Sequence, residues 1–593
     1  MHAMETTLPR SLGSPRACPR TEETSRHWIL LLPFLTGILL WLCYFPVSCG
    51  RLAWIALIPM LILVRVTVLP IWLYLNVWLG GLAFYLAALQ WLRVADPRMY
   101  FTWIGLAFYC SLYFPLVMCL IRWLDRSARL PLALTVPLAW TALEYLRSTL
   151  AGGFSWYLLA HALHDDLPII QIADVTGAYG VTFLIAAVHG LAVEILLTSN
   201  GLRRLLRMGS RPAADGNGSL WIAAFVVLAA LAGTISYGYW RLGEGGQKPG
   251  PRIALLQGNL DQRLRNDSAV SDEAALHVGE HFRDLADLAA LARPDLIVWP
   301  ETSWPYEWRE EAGKPIAPCQ AMAKDMAARW RTNLLIGTNA LDLSEDGRSH
   351  RYNTAIALDA QGRLAGRYDK IHRVPFGEYV PFRESLPFMN KLAPYDFDYS
   401  VWPGLSHTRF PLVDASKRQS TFGVLICYED TDAEVAHSYG GGGVDSVDFL
   451  LNISNDGWFD GTSEHDQHLA VCRFRAVECR RSVARSVNMG ISAVIDGNGR
   501  VLQPREQPRS DPGVFPQFHL WKIDRDSPAL PVAEWHEYTK VAGVLLAEIP
   551  LDDRQSLYAR WGDWLPWSCW IAVGFCVVRA FVRRSREQLR TGR

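Results

Sequence analysis

The chain has 593 residues, half of them hydrophobic and only 20% charged, which is too long and too apolar for one ordinary soluble domain. Its 58 basic and 58 acidic side chains cancel, so no global field points to nucleic acid or to a strongly charged partner. The apolar residues crowd toward the two ends and leave a polar block between them.

Residues 1–27 form a polar, Pro- and Arg-containing extension with no assigned role. A hydrocarbon core of about 30 Å takes roughly 20 helical residues, and eight apolar runs approach that length. They are Trp28 to Val47, Leu52 to Leu69, Ile71 to Leu92, Tyr100 to Leu124, Leu130 to Leu146, Gly177 to Leu197, Leu220 to Trp240 and Trp561 to Val582. The second and fifth are short or carry a proline, which leaves a re-entrant or amphipathic segment open for each. The first exceeds a signal-peptide core and lacks a cleavage site after it, so it reads as a retained anchor. Arginines Arg122, Arg126, Arg129, Arg203, Arg204, Arg207, Arg211 and the Arg-rich tail after Val578 outnumber Arg51, Arg93, Arg98 and Arg147 on the other side. Basic residues stay cytoplasmic, so both chain ends are expected inside and the polar block outside the cytoplasm. The expected division is 28–247 as a bundle of about seven helices, 248–560 as a catalytic domain, and 561–593 as a final span with a basic tail.

The block 248–560 alternates short apolar runs with polar helical stretches, the pattern of an α/β domain. Strands are predicted at Arg252 to Leu256, Leu296 to Trp299, Asn333 to Gly337, Asn353 to Leu358, Phe422 to Ile426, Phe449 to Ile453, Ala493 to Ile495 and Val544 to Ile549. Helices are predicted at Ala274 to Ala292 and Asp466 to Arg481, and Gly440 to Gly443 reads as a loop.

Three clusters supply acyl-transfer chemistry. Glu301 follows Val298, Trp299 and Pro300, just past a buried strand, where desolvation raises a carboxyl toward a useful general base. Lys370, in Tyr368 to Lys370 ahead of Val374 to Tyr379, offers a cation for a developing oxyanion. Cys427 ends an apolar strand, and a thiol with an ordinary pKa of about 8.5 needs a neighbouring base and cation to react. Taken singly, each has a bland alternative: a solvated charge for the Glu and the Lys, a buried small hydrophobe for the Cys. Only tertiary structure can join positions so far apart. His465 and His468, with Asp466, have a spacing that suits a metal, but no carboxylate or Cys cluster completes a site in the sequence. Cys472 and Cys479 share a helix face as buried thiols, with a disulfide as the minor reading.

The segments Val298 to Glu301, Tyr368 to Lys370, Pro375 to Pro381, Ile426 to Glu429 and Asn455 to Phe459, in that order behind seven apolar runs and before one more, resemble the nitrilase superfamily and its apolipoprotein N-acyltransferase branch. The resemblance covers about residues 28–582. It implies an α-helical transmembrane bundle plus an extracytoplasmic αββα sandwich, with Glu301 as base, Lys370 as oxyanion stabiliser and Cys427 as nucleophile. Glu378, Tyr428 and Glu429 match supporting positions. It further implies a phospholipid acyl donor, a diacylglyceryl-modified lipoprotein as acceptor, the bacterial inner membrane as the place of action, and no cofactor. Trp299, Trp304, Trp308 and Trp458 are candidates to line an acyl cleft, with core or interface packing as the alternative.

The chain departs from the pattern at Arg373, where an aliphatic residue is usual, at Asp460, which adds a residue after Phe459, at Met489, where a second Asn is common, and in an insertion at 503–541. Two rivals stay open. One is a membrane-tethered carbon–nitrogen hydrolase, in which water replaces the amine. The other is a non-catalytic lipoprotein-binding membrane protein.

Overall fold

The computed structural model describes residues 31–66, 70–206, 208, 217–309, 317–343, 348–381, 383–385, 389, 400–440, 446–508 and 514–591. The extension 1–27 and most of the glycine loop Gly440 to Gly443 lie outside the described residues.

Helices α1 (Leu32–Cys43), α2 (Pro70–Ala88), α3 (Met99–Ser111), α4 (Tyr113–Trp123), α5 (Leu132–Thr149), α6 (Ala178–Leu196) and α7 (Asn217–Gly243) build the amino-terminal bundle. Five helical segments among the described residues are long and apolar enough to cross a membrane: Ile71–Ala88, Met99–Ala128, Ala178–Leu196, Gly218–Gly243 and, near the carboxyl end, Trp564–Arg583. The run Leu52 to Leu69 is not one helix. Residues Gly50–Trp54, Ile58–Leu61 and Ile62–Arg65 form separate short turns. Pro59 cannot donate to a ladder, and the turns are capped from other helices: the Met60 amide donates to Thr36 Oγ1 (3.0 Å) and the Leu57 amide to His189 Nε2 (3.4 Å). Ala56, Leu57, Met60, Leu61, Leu63 and Val64 have no exposure. The apolar composition of this run therefore accompanies short turns buried among the bundle helices and not one continuous helix. α1 is also short, and α5 keeps its 18 residues around Pro137 while burying Glu144 and Arg147.

The polar block folds into two sheets packed face to face. One has eight strands in the order β11-β12-β13-β1-β2-β3-β4-β5, and the other five in the order β10-β9-β8-β7-β6. The strands are β1 (Gln247–Gln257), β2 (Leu296–Val298), β3 (Asn333–Leu343), β4 (Ser349–Leu358), β5 (Leu364–Asp369), β6 (Arg409–Val413), β7 (Gln419–Ile426), β8 (Phe449–Ser454), β9 (Ser482–Val487), β10 (Ala493–Ile495), β11 (Arg505–Glu506), β12 (His519–Ile523) and β13 (Gly543–Asp552). Side-chain alternation sets the layers. Val424 and Ile426 face Val298, Leu335 and Ile453 between the sheets, while Leu425 faces Tyr439 and Leu469 on the outer side.

Helix α8 (Gln262–Asp267) is a short surface segment, whereas α9 (Asp272–Leu291) and α10 (Pro318–Trp330) cover the larger sheet. α9 starts at Ser271, whose hydroxyl accepts from the Ala274 amide, and it buries Val278, Phe282, Leu285 and Ala289 along one stripe. Helix α11 (Glu464–Cys479) covers the smaller sheet, giving helix, sheet, sheet, helix. α11 is buried on every side because the bundle lies against its other face. Its Gln467 accepts from Trp156 and Tyr157, Glu478 accepts from the Ala178 amide, and Arg473 reaches Asp165 at 3.3 Å. α12 (Trp564–Thr591) closes the chain.

β1 begins at Gln247, five residues before the predicted strand, because its antiparallel partner β13 runs on to Asp552. The insertion 503–541 supplies β11 and β12 at the edge of the eight-stranded sheet. Trp299, Trp304 and Trp308 line no cleft. All three are buried between the larger sheet and its helices, while Trp458 is half-exposed.

Candidate active site

The three predicted residues meet where β2, β5 and β7 end. β7 and β8 are parallel neighbours, Ile426 opposite Ile453, and β1 and β2 are parallel neighbours in the other sheet. Cys427 is the first residue past β7 and has φ of +53°. A β-carbon in the left-handed region costs on the order of 1 kcal/mol or more, so the surroundings must impose this elbow. The Glu429 carboxylate imposes it, since Oε2 accepts from the Ile426 amide (2.7 Å) while Oε1 accepts from the amides of Ile371 (2.7 Å) and His372 (3.0 Å) and from Tyr368 (2.9 Å). One buried side chain thus ties the nucleophile turn to the strand end that carries Lys370. Burial, partly offset by those donors, raises its carboxyl to about 7.

Glu301 is 7% exposed and fully engaged. Its Oε1 accepts from Asn353 Nδ2 (2.7 Å), its Oε2 from the Asn455 amide (3.0 Å), and the Cys427 thiol is close enough that the two groups shift each other's ionisation. Burial raises the Glu301 carboxyl above its usual range, with Lys370 opposing and Glu378 adding to the rise. Lys370 is 1% exposed, and its Nζ lies 2.8 Å from Glu378 and 3.7 Å from Glu301. Burial works against the ammonium, but Glu378, Glu301 and Cys427 outweigh it and keep the lysine charged. Glu378 is itself held by the Val374 amide (2.8 Å) and Asn353 Nδ2 (3.2 Å). The Cys427 thiol is pushed well up by burial and by Glu301, with Lys370 pulling the other way. At rest it is therefore a thiol beside a base, and its ionisation is coupled to proton transfer. The arrangement has what acyl transfer requires: a nucleophile, a desolvated base and a fixed cation.

Tyr428 is half-buried and reaches the bundle. The Trp156 ring stacks on it with centroids 6.2 Å apart and planes 8° apart. Trp156 stands on the loop after α5, and Arg147 pins that loop through the carbonyls of Phe154 (2.8 Å) and Trp156 (2.7 Å). Arg147, expected as an outer-loop charge, is instead a buried brace between bundle and site.

The amino-terminal sequence matches a family described as the apolipoprotein N-acyltransferase N-terminal domain over residues 36–191, and residues 252–510 match carbon-nitrogen hydrolase. The apolipoprotein N-acyltransferase of Geobacter metallireducens is 32% identical over 569 residues, spanning 94% of this chain and 96% of that one. The chain belongs to the apolipoprotein N-acyltransferase family. The enzyme is an acyltransferase on a nitrilase-like α/β fold. The relative from Rhodopirellula baltica is 26% identical over 585 residues, 91% of this chain and 94% of its own. Among solved structures, Saccharomyces cerevisiae Nit3 overlays at 17% identity and a TM-score of 0.31, covering 44% of this chain and 86% of that one. An amidase from Nesterenkonia sp. overlays at 18% identity and 0.32, covering 55% and 100%.

Sequence reasoning assigned no site role to Asn353 or Asn455, which hold the enzyme's Glu301. The signal for Asn353 was an Asn opening an otherwise apolar strand. An amide held by backbone geometry, as at Asn455, leaves no trace in residue type. The sequence also showed no carboxylates completing a cluster at His468, yet Asp456 and Glu464 bring ligand atoms within 4.8 Å of it and of one another. His468 spends Nε2 on Asp430 (2.7 Å) and Nδ1 on Asp456 (3.1 Å), and Arg485 pairs with both aspartates. Burial disfavours the imidazolium, but Asp430 and Asp456 raise His468 to about 10. The cations are built in, so the cluster is a filled ion network behind the nucleophile turn. Cys472 and Cys479 are free buried thiols.

Proposed function

We propose that the enzyme transfers a fatty acyl group from a membrane phospholipid to the α-amine of the diacylglyceryl-cysteine of apolipoproteins, through a thioester on Cys427. The observation that carries this reading is the meeting of Glu301, Lys370 and Cys427 at the seam between an acyltransferase-family bundle and a nitrilase-like domain. Glu301 takes the thiol proton as the sulfur attacks the ester carbonyl. Lys370 neutralises the tetrahedral oxyanion, and Glu301 then protonates the departing lysophospholipid. The acceptor amine attacks the thioester next, giving an amide and the free thiol, a ping-pong cycle with no ATP. Glu378 holds Lys370, Glu429 shapes the nucleophile turn, and Tyr428 with Trp156 joins it to the bundle.

The acyl chain has to stay out of water, since exposing about fifteen CH₂ groups costs roughly 12 kcal/mol. That requirement supports a site opening at the bilayer surface. In the same reading the bundle occupies 28–247, the catalytic domain 248–560 and the last span with its tail 561–593. The catalytic domain faces the extracytoplasmic side of the bacterial inner membrane, and about eight segments lie at membrane depth. The test incubates full-length enzyme with phospholipid and looks by mass spectrometry for an acyl adduct on Cys427 that hydroxylamine removes. Absence of any adduct, with the protein folded, sinks the proposal. An adduct discharged by water but not by a diacylglyceryl-cysteine peptide favours the hydrolase.

A further inference from the structure

Arg265 is a buried cation with no ion pair within 4 Å among the described residues. It lies on α8 and is 7% exposed. Its Nη2 donates to the Glu301 carbonyl (3.3 Å), the Thr302 carbonyl and Thr302 Oγ1 (2.8 Å). That single nitrogen pins the turn directly after Glu301, where Thr302 takes φ of +45°. Nε and Nη1 are buried and have no hydrogen-bond partner among the described residues. Most other buried arginines of this domain have an acid beside them, although Arg475 Nε and Nη2 and Arg485 Nε also lack a hydrogen bond. Arg475 pairs with Glu478, Arg480 with Asp174 and Arg485 with Asp430, while Arg481 spends its donors on the carbonyls of Val447, Arg480 and Asp552. The Glu301 carboxylate favours the Arg265 cation only from beyond ion-pair distance, and its oxygens are taken by Asn353, Asn455 and Lys370.

A desolvated guanidinium with idle N–H groups is costly to bury unless an anion completes it. Arginine suits phosphate oxygens in particular. Of the two substrates, the acceptor presents an amine, which this charge repels. The donor carries a phosphodiester only a few bonds from the ester carbonyl that meets Cys427. α8 lies beside the base, since Gln262 Oε1 accepts from Asn455 Nδ2 (2.8 Å) and Arg265 itself bonds the Glu301 carbonyl. We propose that Arg265 is a binding residue for the phosphodiester of the acyl donor, engaged through Nε and Nη1 as α8 yields to the head group. This rests on the reading that the donor is a phospholipid.

The experiment compares acylation of Cys427 in full-length wild type, Arg265→Gln and Arg265→Lys, using phosphatidylethanolamine and, separately, p-nitrophenyl palmitate, which has no phosphate. The expected result is a loss of about tenfold to a hundredfold for Arg265→Gln with the phospholipid, most of it in KM. Acylation from the nitrophenyl ester falls at least about fivefold less than acylation from phospholipid, because the lost bonds to Glu301 and Thr302 act on both donors and the lost phosphate contact on one, and a melting curve confirms that the variants fold. Arg265→Lys recovers part of the loss. Equal losses with both donors would make Arg265 a structural brace of the Glu301 turn and overturn the proposal, as would no loss with either. Inorganic phosphate competing as well as glycerophosphoethanolamine would assign the guanidinium to free phosphate and overturn it too. Wild type acylated by the nitrophenyl ester but not by phospholipid would instead sink the donor assignment itself.

Discussion

Replacing Glu378 by Gln keeps the shape of the side chain and removes the nearer of the two charges that hold Lys370. Nζ lies 2.8 Å from Glu378 and 3.7 Å from Glu301. At an effective dielectric of about 20 those separations correspond to attractions of about 6 and about 4.5 kcal/mol, before the cost of burying the ions. With Glu378 neutral, the ammonium has a single anionic partner and closes onto Glu301. The base is then held in an ion pair, its proton affinity falls, and the cation moves off the position where the oxyanion forms. Glutamine still accepts a hydrogen bond from Nζ, so the net loss is far smaller than the Coulomb value, about 1.5–3 kcal/mol. Thioester formation on Cys427 is expected to slow by about tenfold to a hundredfold, without a matching rise in the apparent KM for phospholipid. Rapid-quench mass spectrometry of the acyl-enzyme between pH 6 and pH 9 measures this, with a melting curve confirming that the variant folds. A Glu378→Gln enzyme acylated within twofold of wild type across that range would refute the role given to the Lys370–Glu378 pair.

Asn353→Ala removes the side-chain donor to Glu301 Oε1 (2.7 Å) and leaves a buried carboxylate oxygen underbonded, so acylation should fall by about tenfold or more at neutral pH with little change in KM. Trp156→Ala loses the stack on Tyr428 and the bond to Gln467, and a slower acylation with unchanged catalytic-domain content by circular dichroism is the expected outcome. Glu429 binds a proton in the folded state up to about pH 7, whereas an unfolded Glu releases it near 4.3, so its contribution to stability is complete below about pH 4.3 and fades as pH rises to about 7. Glu429→Gln should flatten that part of the melting-temperature profile, and a variant that keeps the wild-type slope would contradict the linkage.

Much of the site was legible because its residues sit where pattern changes. Cys427 follows the apolar run Phe422 to Ile426, Glu301 follows Leu296 to Val298, and both strands end there in the structure. A strand with polar residues on both faces is harder to see. β9 carries Ser482, Arg485 and Ser486, all buried and satisfied by Pro550, Asp430 and Leu256, so its composition mimics a loop. The bundle misled in the opposite direction at Leu52 to Leu69. Hydropathy there measures burial against α1 and α6, and it cannot distinguish a membrane-facing helix from turns packed within the bundle. Arg147 reads as a topology charge because a sequence shows that an arginine flanks a span, not that the carbonyls of Phe154, Trp156 and Tyr157 receive it.

The account depends on a fatty chain passing through Cys427 on its way to an amine. Enzyme acylated with isotope-labelled phospholipid, freed of donor and then given a diacylglyceryl-cysteine peptide, should move the label into the peptide amide in one turnover while the mass on Cys427 returns to that of the thiol. Label appearing in the peptide at an undiminished rate from a Cys427→Ala enzyme, or released only as free fatty acid from wild type, would contradict it.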